Sequence, residues 1–260
     1  MNKLQKQHTK RGENRLAHFA EFDAEFLNGR SWVVGIDEAG RGALAGPVCA
    51  GAVAVSERLY RSPEKLAFLE GLNDSKKLAE SAREDLYFRL EELRSASLLD
   101  FEAGFASVEE IERDNILRAT QTAMERACRA IDERLNLRLR TKASVATLFG
   151  ESGIDSALAE ILIDGTPMKK FPFVHRAVVK GDASSVAVAA ASIVAKVSRD
   201  RFMRSLPSKY SVYDFPAHKG YGTAAHLQAL MLYGASDIHR PSFLKKLRAA
   251  PVSDAQQTLF

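Results

Sequence analysis

The sequence predicts an α/β domain built on a mixed sheet flanked by helices, and three observations carry that expectation. Apolar runs of strand length come first, WVVGI from residue 32 and PVCAGAVAV from residue 47. Longer stretches with helical spacing follow, and no internal repeat or low-complexity segment breaks the order. At 260 residues, 46% of them hydrophobic, the chain can bury a full core in one domain.

Residues 1–30 begin polar and basic and become weakly amphipathic at Leu16, Phe19, Phe22 and Phe26, the pattern of an N-terminal arm that packs on the folded body late or not at all. The body is expected over 31–248, starting near Trp32, with a flexible tail over 249–260. WVVGI reads as a buried strand and PVCAGAVAV as its hairpin partner, with Pro47 at the strand start. Leu78, Ala82, Leu86, Leu90 and Leu93 recur at helical spacing, and SLLDFEAGFA reads as a third strand. Ser107 and Glu110 form a capping box; behind it Leu117, Thr120, Met124, Ala127, Ile131 and Leu135 line a long helix ending near Asn136. Residues 137–159 show no clear period. ILI before Asp164 and AVV before Lys180 are short runs of the buried-strand type. A helix from about Ser184 to Met203 gathers Ala187, Ala190, Ala191 and Val194 on a face that can approach a sheet closely, with Ser192, Lys196 and Arg199 on another. Thr223 caps a further helix ending at Gly234.

The formal charge of +4 comes from interspersed acids and bases and favours a polyanionic partner. Cys49 and Cys128 form no CxxC pair and no disulfide framework, as expected of a cytoplasmic protein. The basic N-terminus lacks the apolar stretch of a signal peptide, and no apolar run reaches the roughly 18 residues of a membrane span.

Three apolar runs finish in acids: VVGI in Asp37 and Glu38, ILI in Asp164, and AVV-Lys-Gly in Asp182. Singly, such acids are more often turn formers or helix caps. If the strands are neighbours, however, the carboxylates converge, and several buried negative charges are tolerable only with cations between them. Hard oxygen donors without a Cys or His set point to Mg²⁺ or Mn²⁺, and two such ions suit in-line attack of water on a phosphodiester. Adjacent strand residues point to opposite faces, so Asp37 and Glu38 serve one site only if the backbone bends.

GRGALAG, residues 40–46, fits a dinucleotide pattern superficially, but Pro47 and a strand follow where a helix is required. Gly40 and Gly42 flank Arg41 and leave backbone groups free to bond a 2′-hydroxyl, which both donates and accepts. Without acids next door a hairpin with a solvated Arg would be the preferred reading. Asn73, Ser75 and Lys76 of NDSKKL, with Ser192 and Lys196, are candidates for phosphates, though solvated lysines and a wetted helix face explain them as well. Tyr210, Tyr213 and Tyr221 suit stacking on sugars or bases but equally suit capping a core; His226 and His239 read as structural.

Together GIDEAGRG, DSKKL, IDG, KGD with AAASIVAK and RDR, HKGYGT and HRPSF resemble bacterial ribonuclease HII, the type 2 ribonuclease H, in that family's order over about residues 32–243. The resemblance implies a ribonuclease H-like fold and an endonuclease hydrolysing the RNA strand of RNA/DNA hybrids. It implies that Asp37, Glu38, Asp164 and Asp182 are catalytic and hold two divalent ions, and that Gly40, Arg41 and Gly42 read the 2′-hydroxyl. It further implies that Tyr221 packs on the sugar at an RNA-to-DNA junction, so that ribonucleotides embedded in duplex DNA are cut on their 5′ side, giving 3′-hydroxyl and 5′-phosphate ends. Ala43 stands where proline is usual, residues 137–159 are longer than typical, and the basic arm is extra. The closing QQTLF resembles peptides accepted by bacterial sliding clamps, implying a contact through Gln256, Leu259 and Phe260. The chain is expected to act as a monomer. Two alternatives stay open: a type 3 ribonuclease H, which usually carries GKG in the turn, and a hybrid-binding protein without catalysis.

Overall fold

The computed structural model describes residues 3–142 and 157–249. Helix α1 (Lys3–Leu27) leads into β1 (Trp32–Ala39) and β2 (Val48–Ser56), followed after short helical turns by α2 (Glu80–Ser95), β3 (Leu99–Ala106), α3 (Val108–Asp114) and α4 (Ile116–Leu135). The second half comprises β4 (Ala159–Asp164), β5 (Arg176–Val178), α5 (Val186–Arg204), α6 (Ala224–Tyr233) and α7 (Pro241–Ala249). The strands form one sheet in the order β3-β2-β1-β4-β5. β1, β2 and β3 pair antiparallel, whereas β4 lies parallel to β1 and β5 parallel to β4. The mixed sheet expected from the sequence is therefore present.

Strand alternation sorts β1 between two cores. Val33 joins Val53, Val55 and Leu162 in the core that α5 closes, while Val34 and Ile36 join Ala50, Ala52, Ile161 and Ile163 in the core that α4 closes. Each fully buried Val, Leu or Ile contributes about 1.5–3 kcal/mol, so these two seams dominate the energy holding the strand ends in register. Helix α5 lies so close to the sheet that a β-carbon at Gly35 would fall on the backbone of Ala187 and Val188. The capping box is formed, with Ser107 accepting from the Glu110 N–H and Glu110 reaching back to the Ser107 N–H. Left-handed Asn136 ends α4 as expected.

Two expectations need correction. Residues 1–30 are not simply an arm outside the body: Leu16, Phe19, Ala20 and Leu27 of α1 are buried in the α5-side core, with Phe22 and Phe26 packed against it. The stripe reads weakly because its polar member, Asp23, is buried too. The Asp23 Oδ2 accepts from the Tyr60 hydroxyl at 2.8 Å and from the Ala187 N–H at 3.0 Å, beside the Ser185 cap of α5. Burial pushes its carboxyl up to about 6. Secondly, the wetted helix face that would explain Ser192 and Lys196 does not hold at Ser192 of α5, and Arg199 on the same helix is enclosed as well. Both are buried, because α2 and the C-terminal elements as well as the sheet pack on that helix. Much of the unperiodic 137–159 stretch, residues 143–156, and the tail from residue 250 lie outside the described residues. Among the described residues no helix is long and apolar enough to cross a membrane.

Candidate active site

The register of β1 and β4 explains how acids far apart in sequence meet. Parallel pairing aligns Ile36 with Ile163, so the next residues, Asp37 near the end of β1 and Asp164 at the end of β4, lie side by side on the face covered by α5. Asp182 arrives from a different element. After β5, left-handed Lys180 (φ 58°) turns the chain into the short 3-10 turn Gly181–Ala183 that precedes α5. Asp164 fixes that turn, its Oδ1 accepting from the Gly181 N–H at 2.8 Å. One carboxylate oxygen from each of Asp37, Asp164 and Asp182 lies within 4.8 Å of the others.

Such crowding is electrostatically unfavourable. Burial first, then the charges of Glu38 and Asp164, hold the Asp37 carboxyl well above the usual range. Burial, then Asp164 and Asp74, push Asp182 in the same direction. Lys76 supplies partial compensation: burial pulls its ammonium down, but Asp37, Asp74, Asp182 and Glu38 together raise it. Glu38 stands outside the trio, as alternation requires. Its Oε1 accepts from Arg41 Nη1 at 2.9 Å, its N–H donates to Asp37 Oδ1 at 2.7 Å, and its charge is close enough to act on Asp37.

The Gly40-Arg41-Gly42 turn borders this cluster. Gly40 has φ 89°, and a β-carbon there would collide with the Arg199 guanidinium. Arg199, wholly buried, donates to the carbonyls of Pro47 (2.9 Å), Lys219 (2.9 Å) and Ala45 (3.0 Å). Arg240, equally buried, donates to the carbonyls of Gly46 (2.9 Å), Ala43 (2.8 Å) and Arg41 (3.1 Å). Burial, then the neighbouring Arg199, lowers Arg240 to about 9. Two guanidiniums thus stiffen the turn from behind and leave Arg41 and Gly42 exposed in front. Tyr221 sits alongside, half-buried, its ring centroid 5.3 Å from the Arg199 guanidinium carbon and 5.6 Å from Lys196 Nζ. Its neighbour Gly220 accepts at its carbonyl from the Leu44 N–H (2.8 Å) and the Ala45 N–H (3.3 Å), which joins the HKGYGT segment to the turn.

The phosphate candidates divide. Lys76 is exposed at the rim, Asn73 is half-buried with its Oδ1 accepting from the Asp74 N–H at 2.9 Å, and Lys196 pairs with Asp200 at 2.7 Å. Ser75 and Ser192 are buried, and the Ser192 hydroxyl donates to the Ala189 carbonyl at 2.8 Å. Tyr210 and Tyr213 bond to Asp237 and to the Gly234 carbonyl and belong to the C-terminal packing. Sequence reading passed over Asp74, close enough to raise Asp182, and the structural work of Arg199 and Arg240. A buried arginine that bonds only carbonyls leaves no periodicity in the sequence; the signal was merely that both lie within the RDR and HRPSF motifs.

The profile of the family described as ribonuclease HII matches residues 34–246. The ribonuclease HII of Delftia acidovorans is 45% identical over 211 residues, covering 81% of this chain and 75% of that protein. That of Acidovorax sp. (strain JS42) is 43% identical over 223 residues, covering 85% and 90%. Among solved structures, RNase HII in the PCNA:RNase HII complex from Archaeoglobus fulgidus aligns with a TM-score of 0.57 at 24% identity, over 86% of this chain and 98% of that one. Ribonuclease H2 from Pyrococcus horikoshii OT3 aligns with a TM-score of 0.56 at 23% identity, over 84% and 97%. At those identities the structures establish a common ribonuclease H-like fold, while the sequence relatives establish kinship. The chain belongs to the ribonuclease HII family and is a ribonuclease H.

Proposed function

We propose that the protein cuts the RNA strand of RNA/DNA hybrids, and cuts 5′ of ribonucleotides embedded in duplex DNA, with two divalent ions held by Asp37, Glu38, Asp164 and Asp182. The observation that carries this reading is the meeting of three carboxylate oxygens within 4.8 Å, where burial penalises their charge. An all-oxygen donor set fits Mg²⁺ or Mn²⁺. Ions bound there would neutralise the acids, lower the pKa of an attacking water and stabilise the leaving 3′ oxygen, giving 3′-hydroxyl and 5′-phosphate ends.

The chain's own share is to hold the oxygens still. Asp37 and Asp164 stand on paired neighbouring strands, and Asp164 orients the Asp182 turn. Glu38 completes the set from the neighbouring position, steadied by Arg41. The exposed Arg41 and Gly42, with Gly40, form a rigid edge suited to a 2′-hydroxyl. Tyr221, flanked by two cations, offers its ring to the sugar beside the cut. Lys76, Asn73 and Lys196 are left as the phosphate contacts. Arg41 in the turn speaks against a type 3 enzyme.

One incubation series tests the reading: duplex DNA with a single ribonucleotide beside an all-RNA/DNA hybrid, each with Mg²⁺, Mn²⁺ or chelator. Both substrates should be cut with either metal and neither in chelator. Cutting in chelator would overturn the metal assignment, and an intact single-ribonucleotide duplex would overturn the junction role of Tyr221.

We also assign the protein to the cytoplasm as a monomer; its two buried, unpaired cysteines suit a reducing compartment. Gln256, Leu259 and Phe260 lie outside the described residues, and QQTLF supports a sliding-clamp contact on its sequence alone. Removing residues 256–260 should abolish clamp binding without changing the cleavage rate, and clamp affinity that survives the deletion ends that proposal.

A further inference from the structure

We infer that His226 and His239 are positioning residues for Tyr221: a fixed chain of imidazole hydrogen bonds holds the tyrosine's backbone where its ring can read a junction sugar. The inference rests on the role proposed for Tyr221.

Both histidines are buried, neither touches the carboxylates, and their hydrogen bonds have a single consistent direction. The Ser236 N–H can only donate, and it lies 3.0 Å from His239 Nδ1, with the Ser236 hydroxyl 2.9 Å from the same atom. His239 Nδ1 therefore accepts, and the ring carries its proton on Nε2. That atom is 3.0 Å from His226 Nε2, which must accept in turn. His226 then carries its proton on Nδ1, 2.9 Å from the Tyr221 carbonyl oxygen, which can only accept. The two ends of the chain impose the same direction, so one neutral tautomer of each ring satisfies every bond. Burial lowers both pKa values, that of His239 to about 4, which keeps the rings neutral at ordinary pH.

The surroundings make this more than packing. His218 stacks on His226 with ring centroids 4.3 Å apart and accepts from the Gly220 N–H at Nδ1, while its Nε2 donates to the Tyr213 carbonyl. The Tyr221 N–H donates to the His218 carbonyl at 3.0 Å. Arg240, which follows His239, donates to the Arg41 and Ala43 carbonyls. The His239-Arg240 step thus supports the tyrosine through one side chain and the glycine-arginine turn through the other. A phenylalanine at position 226 could fill the space but could not set the tyrosine's carbonyl.

Two substitutions separate direction from bulk. His226→Asn puts an amide donor near the former Nδ1, keeping the bond to Tyr221 and losing the one to His239. His226→Gln reaches the former Nε2 position, serving His239 and abandoning Tyr221. Each loses one buried hydrogen bond, so thermal unfolding should rank them together. The readout is the ratio of kcat/KM on a duplex with one embedded ribonucleotide to kcat/KM on an RNA/DNA hybrid. His226→Gln should lower that ratio about tenfold and His226→Asn by no more than about twofold, because a misplaced contact group costs rate in proportion to its displacement. In a Tyr221→Ala background, His226→Gln should lower the ratio no further. Equal effects of Asn and Gln, or a Gln effect undiminished without the tyrosine, overturn the inference while leaving the nuclease assignment intact. If Tyr221→Ala itself leaves the ratio unchanged, the junction reading fails and the inference falls with it. Long-range ¹H–¹⁵N correlation on the wild-type protein checks the same point without any variant: His226 should be protonated at Nδ1 and His239 at Nε2, and the reverse assignment overturns the proposal.

Discussion

Asp37→Asn is expected to lower kcat at saturating Mg²⁺ by about a thousandfold or more, while making the metal-free protein more stable than wild type. The activity loss follows if the substitution removes one oxygen ligand's share of transition-state stabilisation, which at several kcal/mol converts to that factor. The gain in stability has a different origin. Asp37 is nearly fully buried, and burial together with Glu38 and Asp164 holds its carboxyl well above the ordinary range. A carboxyl whose pKa is raised in the folded state favours folding in its protonated form. That contribution is fully present below the unfolded pKa of about 3.8 and is lost as pH rises through the folded value. The amide has no such term, so in chelator the variant should match wild type near pH 3.8 and become the more stable of the two as pH rises. Mg²⁺ should reverse the order, because a ligand that binds only the folded state stabilises the protein with the intact acid set. Thermal unfolding with and without Mg²⁺, run beside the cleavage assay, checks both halves. A variant that cuts normally, or a wild type equally stable at every pH in chelator, would show that these oxygens do not form a crowded metal centre.

The sheet was legible because strands of this kind announce themselves. WVVGI, PVCAGAVAV and SLLDFEAGFA are runs of strand length, and each forms a strand. Two of the three aspartates were legible for a related reason: Asp37 and Asp164 each follow an apolar run, and the parallel register of β1 and β4 brings them together, whereas Asp182 comes from the turn after β5. Helix α1 was misjudged because Asp23 interrupts its apolar stripe, and only the tertiary bonds from Tyr60 and Ala187 reveal that the acid faces inward. The burial of Ser75 and Ser192 was not legible, because a small hydroxyl is equally at home on a wet or a dry helix face. The histidine chain was read as structural, and its direction could not be seen at all. Tautomers follow from the atoms at both ends of a hydrogen-bond chain, and those atoms come from four separate places in the sequence.

Arg199→Met should cost about 2–4 kcal/mol of stability and raise KM for both substrates, although Arg199 touches neither a carboxylate of the cluster nor the exposed face of the turn. Opposing effects set that range. Removing the guanidinium leaves the carbonyls of Pro47, Lys219 and Ala45 without a donor, and each buried orphan costs roughly 1–3 kcal/mol. Against this, a buried charge with no ion-pair partner among the described residues is itself expensive, and burial depresses the Arg199 pKa. Relief from that cost offsets part of the loss but not all of it, because methionine fills the volume and supplies no donor. Arg199→Lys discriminates between charge and geometry. It keeps the cation but lacks the planar fork that meets three carbonyls from three segments at once, so it should recover little of the lost stability. The catalytic consequence follows from what the fork joins. Pro47 and Ala45 end the glycine-arginine turn and Lys219 begins the HKGYGT segment, so a loosened fork lets the two proposed reading elements move independently. Urea unfolding and kcat/KM on both substrates are the measurements. A methionine variant within about 0.5 kcal/mol of wild type, or a lysine variant indistinguishable from arginine, would mean that the turn is held by its own backbone and that the buried fork is incidental.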